Sequence, residues 1–255
     1  MISMKKTALI TGATSGIGSA LARKLSSDYR LILCGRRAHR LAQIKDELSD
    51  CTDIHTLCFD VGKKQEVLEA IDGLPQDWKS VDVLVNNAGN AHGRAPLHMG
   101  DMDDWDAMID SNLRGMLYIT RAIAPQMVSK KTGDIVNISS IAGKEAYENG
   151  NVYCATKYGV DGLTKSLRHE LLPYGIRVMC INPGMVQTEF SLVRFKGDEQ
   201  AANEVYAGTM PLTAEDVADT IAFAISRPRH VNLADITIFA TCQASATAVY
   251  REEKL

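Results

Sequence analysis

The chain has 255 residues, 45% of them hydrophobic and 23% charged, with a formal net charge of −3 and no Lys/Arg run longer than two. Such a balance supplies ample core material and disfavours nucleic acid or an anionic membrane surface as a partner. No apolar stretch is long enough for a membrane span or a signal sequence, the six cysteines contain no Cys-x-x-Cys pair and fit a reducing cytoplasm, and the six scattered histidines mark no metal site.

In chain order, Thr7–Thr11 reads as a short buried strand running straight into Gly12-Ala13-Thr14-Ser15-Gly16-Ile17-Gly18, after which Ala20, Leu21, Ala22 and Leu25 open a helix. A strand, a glycine-rich turn and a helix N-terminus form an anion site: free backbone N–H groups and the helix dipole face a phosphate, and glycines let the chain approach it. The spacing is Gly-x-x-x-Gly-x-Gly rather than Gly-x-Gly-x-x-Gly, and the bland alternative is a tight turn without a ligand. The next strand, Arg30–Cys34, ends at Gly35-Arg36-Arg37. An acid here would hold the ribose 2′-hydroxyl of NAD; guanidinium groups suit the 2′-phosphate of NADP, Arg36 before Arg37, unless both only cap a solvated helix over Arg40–Leu48.

A third strand, Ile54–Phe59, ends at Asp60-Val61 and precedes a helix from about Lys63 to Leu74. The fourth, Val81–Val85, ends at Asn86-Asn87-Ala88-Gly89, and a long helical region from about Met102 to Ser129 contains Asn112. The fifth lies in Asp134–Ser140, the sixth is Arg177–Ile181 before Asn182-Pro183-Gly184, and the last is Asp235–Phe239 before a polar tail. Between Met185 and Met210 regularity is lost, which reads as a mobile flap; Thr213–Asp216 resembles a capping box opening a helix to Ser226. Strand–helix alternation of this rhythm, with no linker or repeat, predicts one α/β domain over 1–255: a doubly wound, Rossmann-type parallel sheet of about seven strands with helices on both faces. Ligands in such sheets bind beyond the carboxyl ends of the strands. Gly12, Arg36, Asp60, Asn87, Ser140 and Gly184 all fall there.

The chemistry gathers between Gly133 and Lys165. Ser140 ends a strand, and Tyr153 and Lys157 lie four apart on a helix predicted from Asn151 to about Leu172, so they share a face. An ammonium beside a phenol lowers the phenol pKa, making Tyr153 a candidate general acid/base with Ser140 holding the reacting oxygen. The spacing alone is weak, since Tyr250 and Lys254 repeat it in the polar tail. It gains force from a cofactor cleft facing it.

With these motifs together, Thr11–Gly18, Asp60, Asn86–Gly89, Asn112, Ser140, Tyr153/Lys157 and Pro183-Gly184 with Thr188, the sequence resembles the short-chain dehydrogenase/reductase family over nearly its whole length. The resemblance implies an enzyme and gives each residue a role. Tyr153 exchanges the proton with the substrate oxygen. Lys157 lowers the tyrosine pKa and holds the nicotinamide ribose, Ser140 positions the carbonyl or hydroxyl, and Asn112 distorts its helix to keep a water in the proton path. Asp60 with Val61 takes the adenine, Asn87 with Ala88 and Gly89 the ribose side, and Pro183, Gly184, Val186 and Thr188 the nicotinamide. The flap run Thr188–Asp198, with Asn151–Tyr153 and Leu74-Pro75…Trp78, looks like the NADP-dependent 3-hydroxy acid dehydrogenases, which oxidise serine, allo-threonine and simple 3-hydroxy acids. The loop Lys144–Asn149 departs from that pattern. NADP(H) as cofactor, a small hydroxy acid or ketone as substrate and a homotetramer follow as expectations. Arg194, with Lys196 second, is the expected carboxylate partner, because Lys157 is committed to the cofactor. The alternatives are a ketoacyl-thioester or general ketone reductase of the same family, and a non-catalytic nucleotide sensor on the same fold.

Overall fold

The computed structural model describes residues 5–252. Seven strands form one sheet: β1 Lys6–Thr11, β2 Tyr29–Gly35, β3 Ile54–Cys58, β4 Val83–Asn86, β5 Gly133–Ile138, β6 Ile176–Pro183 and β7 Asp235–Ile238. Their order is β3-β2-β1-β4-β5-β6-β7, and every pairing is parallel. The order reverses between β1 and β4, which places a crevice beyond Thr11 and Asn86.

The strands read as nearly continuous apolar runs because both sheet faces are covered. Alternate residues point to opposite layers: Ala8, Ile10, Leu31, Leu33, Val83 and Val85 pack on one side, Leu9, Ile32, Leu84 and Ile135 on the other. The first layer is closed by α1 (Gly16–Leu25), α2 (Ala38–Leu48) and α9 (Ala214–Ser226). The second is closed by α3 (Lys64–Asp72), α5 (Gly115–Lys130) and the end of α6 (Asn151–Leu171). Each fully buried Leu or Ile gains about 1.5–3 kcal/mol from leaving water. Helix α9 opens with the capping box read in the sequence, Thr213 Oγ1 accepting from Asp216 N while Thr213 N donates to Asp216 Oδ2.

Three expectations need correction. The helix expected over Met102–Ser129 is two, α4 (Met102–Ile109) and α5, joined by a π-turn at Asp110–Arg114 that displaces the i→i+4 ladder around Asn112. The flap is not irregular: it carries α7 (Glu189–Arg194), capped by Thr188, and α8 (Glu199–Glu204), capped by Asp198. The segment after β7 is not a free polar tail. Gln243 is buried and its Oε1 accepts from Met185 N at 2.8 Å, Ala246 N donates to Glu145 Oε2, and Glu252 N donates to Gly208 O. The segment straps the flap and the turn after β6. Lys254 lies outside the described residues. Among those residues no helix is long and apolar enough to cross a membrane.

Candidate active site

The carboxyl ends of the strands open on one cleft of about 340 Å³. It is lined by Gly12, Thr14, Ser15, Gly16 and Ile17 after β1, Arg36 and Arg37 after β2, Asp60 and Val61 after β3, and Asn87, Ala88 and Gly89 after β4. Ser140 after β5, Tyr153 and Lys157 on α6, Pro183 at the end of β6, and Gly184, Val186 and Thr188 after it complete the lining. Residues scattered from 12 to 188 therefore share one wall-to-wall space.

The floor is held by backbone chemistry. Thr11 Oγ1 accepts from the N–H groups of Asn87 and Ala88, both at 3.0 Å, and Asn87 Nδ2 donates to Thr11 O and Gly12 O. Gly12 and Gly16 adopt positive φ, +66° and +51°. A Cβ on Gly12 would stand 2.9 Å from the Ala88 Cα, so the close approach of the two strand ends requires glycine. Two members of the glycine-rich motif do not line the cleft. Ala13 is fully buried behind it, and Gly18 faces the turn, where a Cβ would meet Gly12 O at 2.3 Å. Their part is helix–strand packing, which corrects the expectation that they face the cofactor.

At the far end of the cleft from Tyr153, Arg36 is two-thirds exposed and 3.7 Å from Asp60 Oδ2. Arg37 is the more tightly held: Nε and Nη2 donate to Thr14 Oγ1, Nη2 to Ser15 Oγ, and Nη1 to Glu189 Oε2. The chemistry sits at the other end. Lys157, 6% exposed, donates from Nζ to Ile138 O at 3.0 Å and lies 5.8 Å from the centroid of the Tyr153 ring. Burial pulls its pKa down from 10.5 to about 8. Tyr153 departs from expectation: burial pushes its phenol above its ordinary value, and hydrogen bonding with Ser140 and the Arg194 charge oppose this only in part. Desolvation outweighs the Ser140 hydrogen bond and the Arg194 charge.

Asn112 does not enter the cleft. Its Oδ1 accepts from Asn90 N and its Nδ2 donates to Asn90 O and Thr156 Oγ1, tying the π-turn to the loop after β4 and to α6. Arg194 lies beside the cleft, in an adjoining cavity of about 180 Å³ that shares Tyr153 and is also lined by Lys196, Asp104, Trp105 and Asn151. Its guanidinium carbon is 5.5 Å from the Tyr153 ring centroid, and Nη2 donates to Tyr147 Oη at 3.1 Å. Lys196 is spent on Asp101 and Asp104. Sequence reading names Tyr147 only within the Lys144–Asn149 loop, and Glu189 and Phe190, whose ring packs 5.7 Å from that of Tyr153, only within the flap run; it does not name Asn90 and Ser111 in the cleft wall. None belongs to a spacing pattern, although Glu189 directly follows the flagged Thr188.

A cradle that only glycine can form, an arginine pair at one end and an acid/base cluster at the other define a nucleotide-dependent oxidoreductase of the doubly wound α/β class. The buried Asn90 Oδ1, without a partner among the described residues, fits a polar group entering this cleft. Comparison narrows the class. The family described as short chain dehydrogenase matches residues 6–198, and the chain belongs to that family. It is 42% identical over 252 residues to the NADP-dependent 3-hydroxy acid dehydrogenase of Schizosaccharomyces pombe, covering 97% of each chain. It is also 42% identical over 252 residues to sulfoacetaldehyde reductase 2 of Chromohalobacter salexigens, covering 98% of this chain and all of that one. Among solved structures, the closed form of serine dehydrogenase complexed with NADP+ superposes with a TM-score of 0.91 at 40% identity, covering 97% of this chain and all of that one.

Proposed function

We propose that this chain is an NADP(H)-dependent dehydrogenase interconverting a small 3-hydroxy acid and its 3-oxo product, with serine, allo-threonine and 3-hydroxypropanoate-like acids as candidate substrates. The observation that carries the reading is the arginine over the tyrosine. Arg194 leans over the Tyr153 ring and is oriented by Tyr147, yet its Nε is buried with no acceptor among the described residues. A buried unpaired donor is costly, and a carboxylate entering beside Tyr153 would supply the acceptor in the fork geometry that guanidinium prefers. The relatives' names agree in kind: one acts on 3-hydroxy acids and another on a sulfonated aldehyde, both small anions.

When bound, the nicotinamide would supply or accept the hydride. The chain's own residues handle everything else. Tyr153 gives or takes the proton at the substrate oxygen. Ser140, itself fixed by Ala142 N, orients that oxygen. With the cofactor bound, Lys157 would hold the ribose side, Arg36 and Arg37 would receive the 2′-phosphate, and Gly12, Thr14, Ser15, Gly16 and Ile17 would cradle the pyrophosphate. Asp60 and Val61 would take the adenine, Asn87, Ala88 and Gly89 the ribose side, and Pro183, Gly184, Val186 and Thr188 the nicotinamide. Asn112 acts at one remove, through Asn90 and the π-turn. A homotetramer and a cytoplasmic location belong to the same proposal and rest on family resemblance.

The test is a panel of 3-hydroxy acids and uncharged ketones assayed by NADP(H) turnover with the wild type and Arg194→Ala. The variant should raise KM for the acids while sparing KM for NADP and for the ketones. Equal effects on charged and uncharged substrates would refute the carboxylate role and favour the ketone-reductase alternative.

A further inference from the structure

The nucleotide cleft contains groups that do not suit an anionic ligand. Two carboxylates line it, Asp60 and Glu189. Glu189 is the first residue of α7 and sits among cations: Oε2 accepts from Arg37 Nη1 at 2.9 Å, and Oε1 is 3.5 Å from Arg40 Nη2. The remaining donors of Arg37 reach Thr14 Oγ1 and Ser15 Oγ, hydroxyls of the glycine-rich turn. A flap carboxylate and the turn thus share one guanidinium. The bond from Arg37 holds the Glu189 carboxyl below its ordinary pKa, so it stays ionised across the working pH range.

We propose that Glu189 is a specificity-determining residue whose carboxylate occupies guanidinium donors of the 2′-phosphate subsite and yields them when a 2′-phosphorylated nucleotide enters. The inference rests on the reading of Arg36 and Arg37 as that subsite. Two consequences follow. A nucleotide without the 2′-phosphate leaves the Arg37–Glu189 pair intact, whereas one with it exchanges a carboxylate for a phosphate, so Glu189 reduces the preference that the arginines alone would confer. The exchange also releases α7 from its anchor on Arg37, and α7 carries Phe190 and Arg194 over Tyr153. Recognition of the adenosine end is thereby linked to the substrate end through one helix of six residues.

The test titrates the full chain by calorimetry with 2′,5′-ADP, which carries the 2′-phosphate, and with 5′-AMP, which does not. Glu189→Gln keeps the shape and the Thr188 cap but removes the charge. It should tighten 2′,5′-ADP by about two- to fivefold, the range of a partly exposed charge pair, and leave 5′-AMP within about 1.5-fold. The gain should shrink as ionic strength rises. Unchanged or weaker 2′,5′-ADP binding overturns the proposal, weaker binding meaning that Glu189 only positions Arg37. Arg36→Ala and Arg37→Ala separate the two levels. If both weaken 2′,5′-ADP relative to 5′-AMP while Glu189→Gln does nothing, the Glu189 proposal alone falls. If neither does, the subsite reading falls and takes the proposal with it.

Discussion

Replacing Lys157 with Met should make the protein more stable and catalytically inert. The ammonium is 6% exposed, faces a single carbonyl, Ile138 O, and has its pKa pulled from 10.5 down to about 8 by burial. At about 1.4 kcal/mol per tenfold change in proton affinity, the charged form costs the folded state about 3 kcal/mol at neutral pH. Methionine fills similar volume without a charge but forfeits the hydrogen bond to Ile138 O, worth about 1 kcal/mol, leaving a net gain of about 2 kcal/mol. For a chain of this size that corresponds to a Tm higher by about 4–8 °C. The sign with pH follows from a base whose folded pKa is depressed: the cost is complete below about pH 8 and is relieved as pH rises toward 10.5, because the unfolded chain then loses its proton as well. Urea unfolding at about pH 7 and about pH 10 should therefore show a stability gap between variant and wild type that narrows at the higher pH. A variant no more stable than wild type near neutrality, or a gap independent of pH, would refute a strained buried ammonium retained for function.

Tyr153→Phe removes the transferable proton and keeps the ring against Phe190; turnover should fall by at least about 10²–10⁴-fold with NADPH binding largely kept, while Tyr250→Phe, in the decoy pair, should be silent in the same assay. Replacing Gly35 with Asp and Arg36 with Ala should weaken or invert the preference for NADP over NAD in kcat/KM, each lost charge-assisted contact being worth about 1.5–3 kcal/mol. Because a Cβ on Gly35 would meet Thr14 Cγ2 at 2.6 Å, Thr14→Ser should accompany that change.

Most of what positions the site is legible in the sequence because parallel strands buried on both faces leave unbroken apolar runs, and each run ends where a polar or glycine residue begins. Leu33-Cys34-Gly35-Arg36 and Val85-Asn86-Asn87 are such edges, and the cleft lies on them. What escaped reading is either too short or too distant. Helices α7 and α8 are six residues each, under two turns, so no apolar period can establish itself. Gln243 is buried by a partner 58 positions away, and Tyr147 meets Arg194 across 47; no local pattern announces either. The Tyr153 pKa failed for a related reason. Helical spacing specifies which side chains are neighbours, but the balance between charge and desolvation depends on the whole enclosure, which Phe190 and Arg194 help to close.

The strap formed by the segment after β7 bears on how the molecule comes into being. The glycine-rich turn, the arginine pair and the backing loop are all encoded by Gly89, whereas Gln243, which fixes Met185 N, arrives roughly 150 residues later. At a synthesis rate of about 5–20 residues per second, that is a delay of roughly 8–30 s. For that interval a nascent chain carries the turns after β1, β2 and β4 without the turn after β6, and the free edge of β4 stays open until β5 is made. A growing chain of this kind relies most on protection from aggregation during that period.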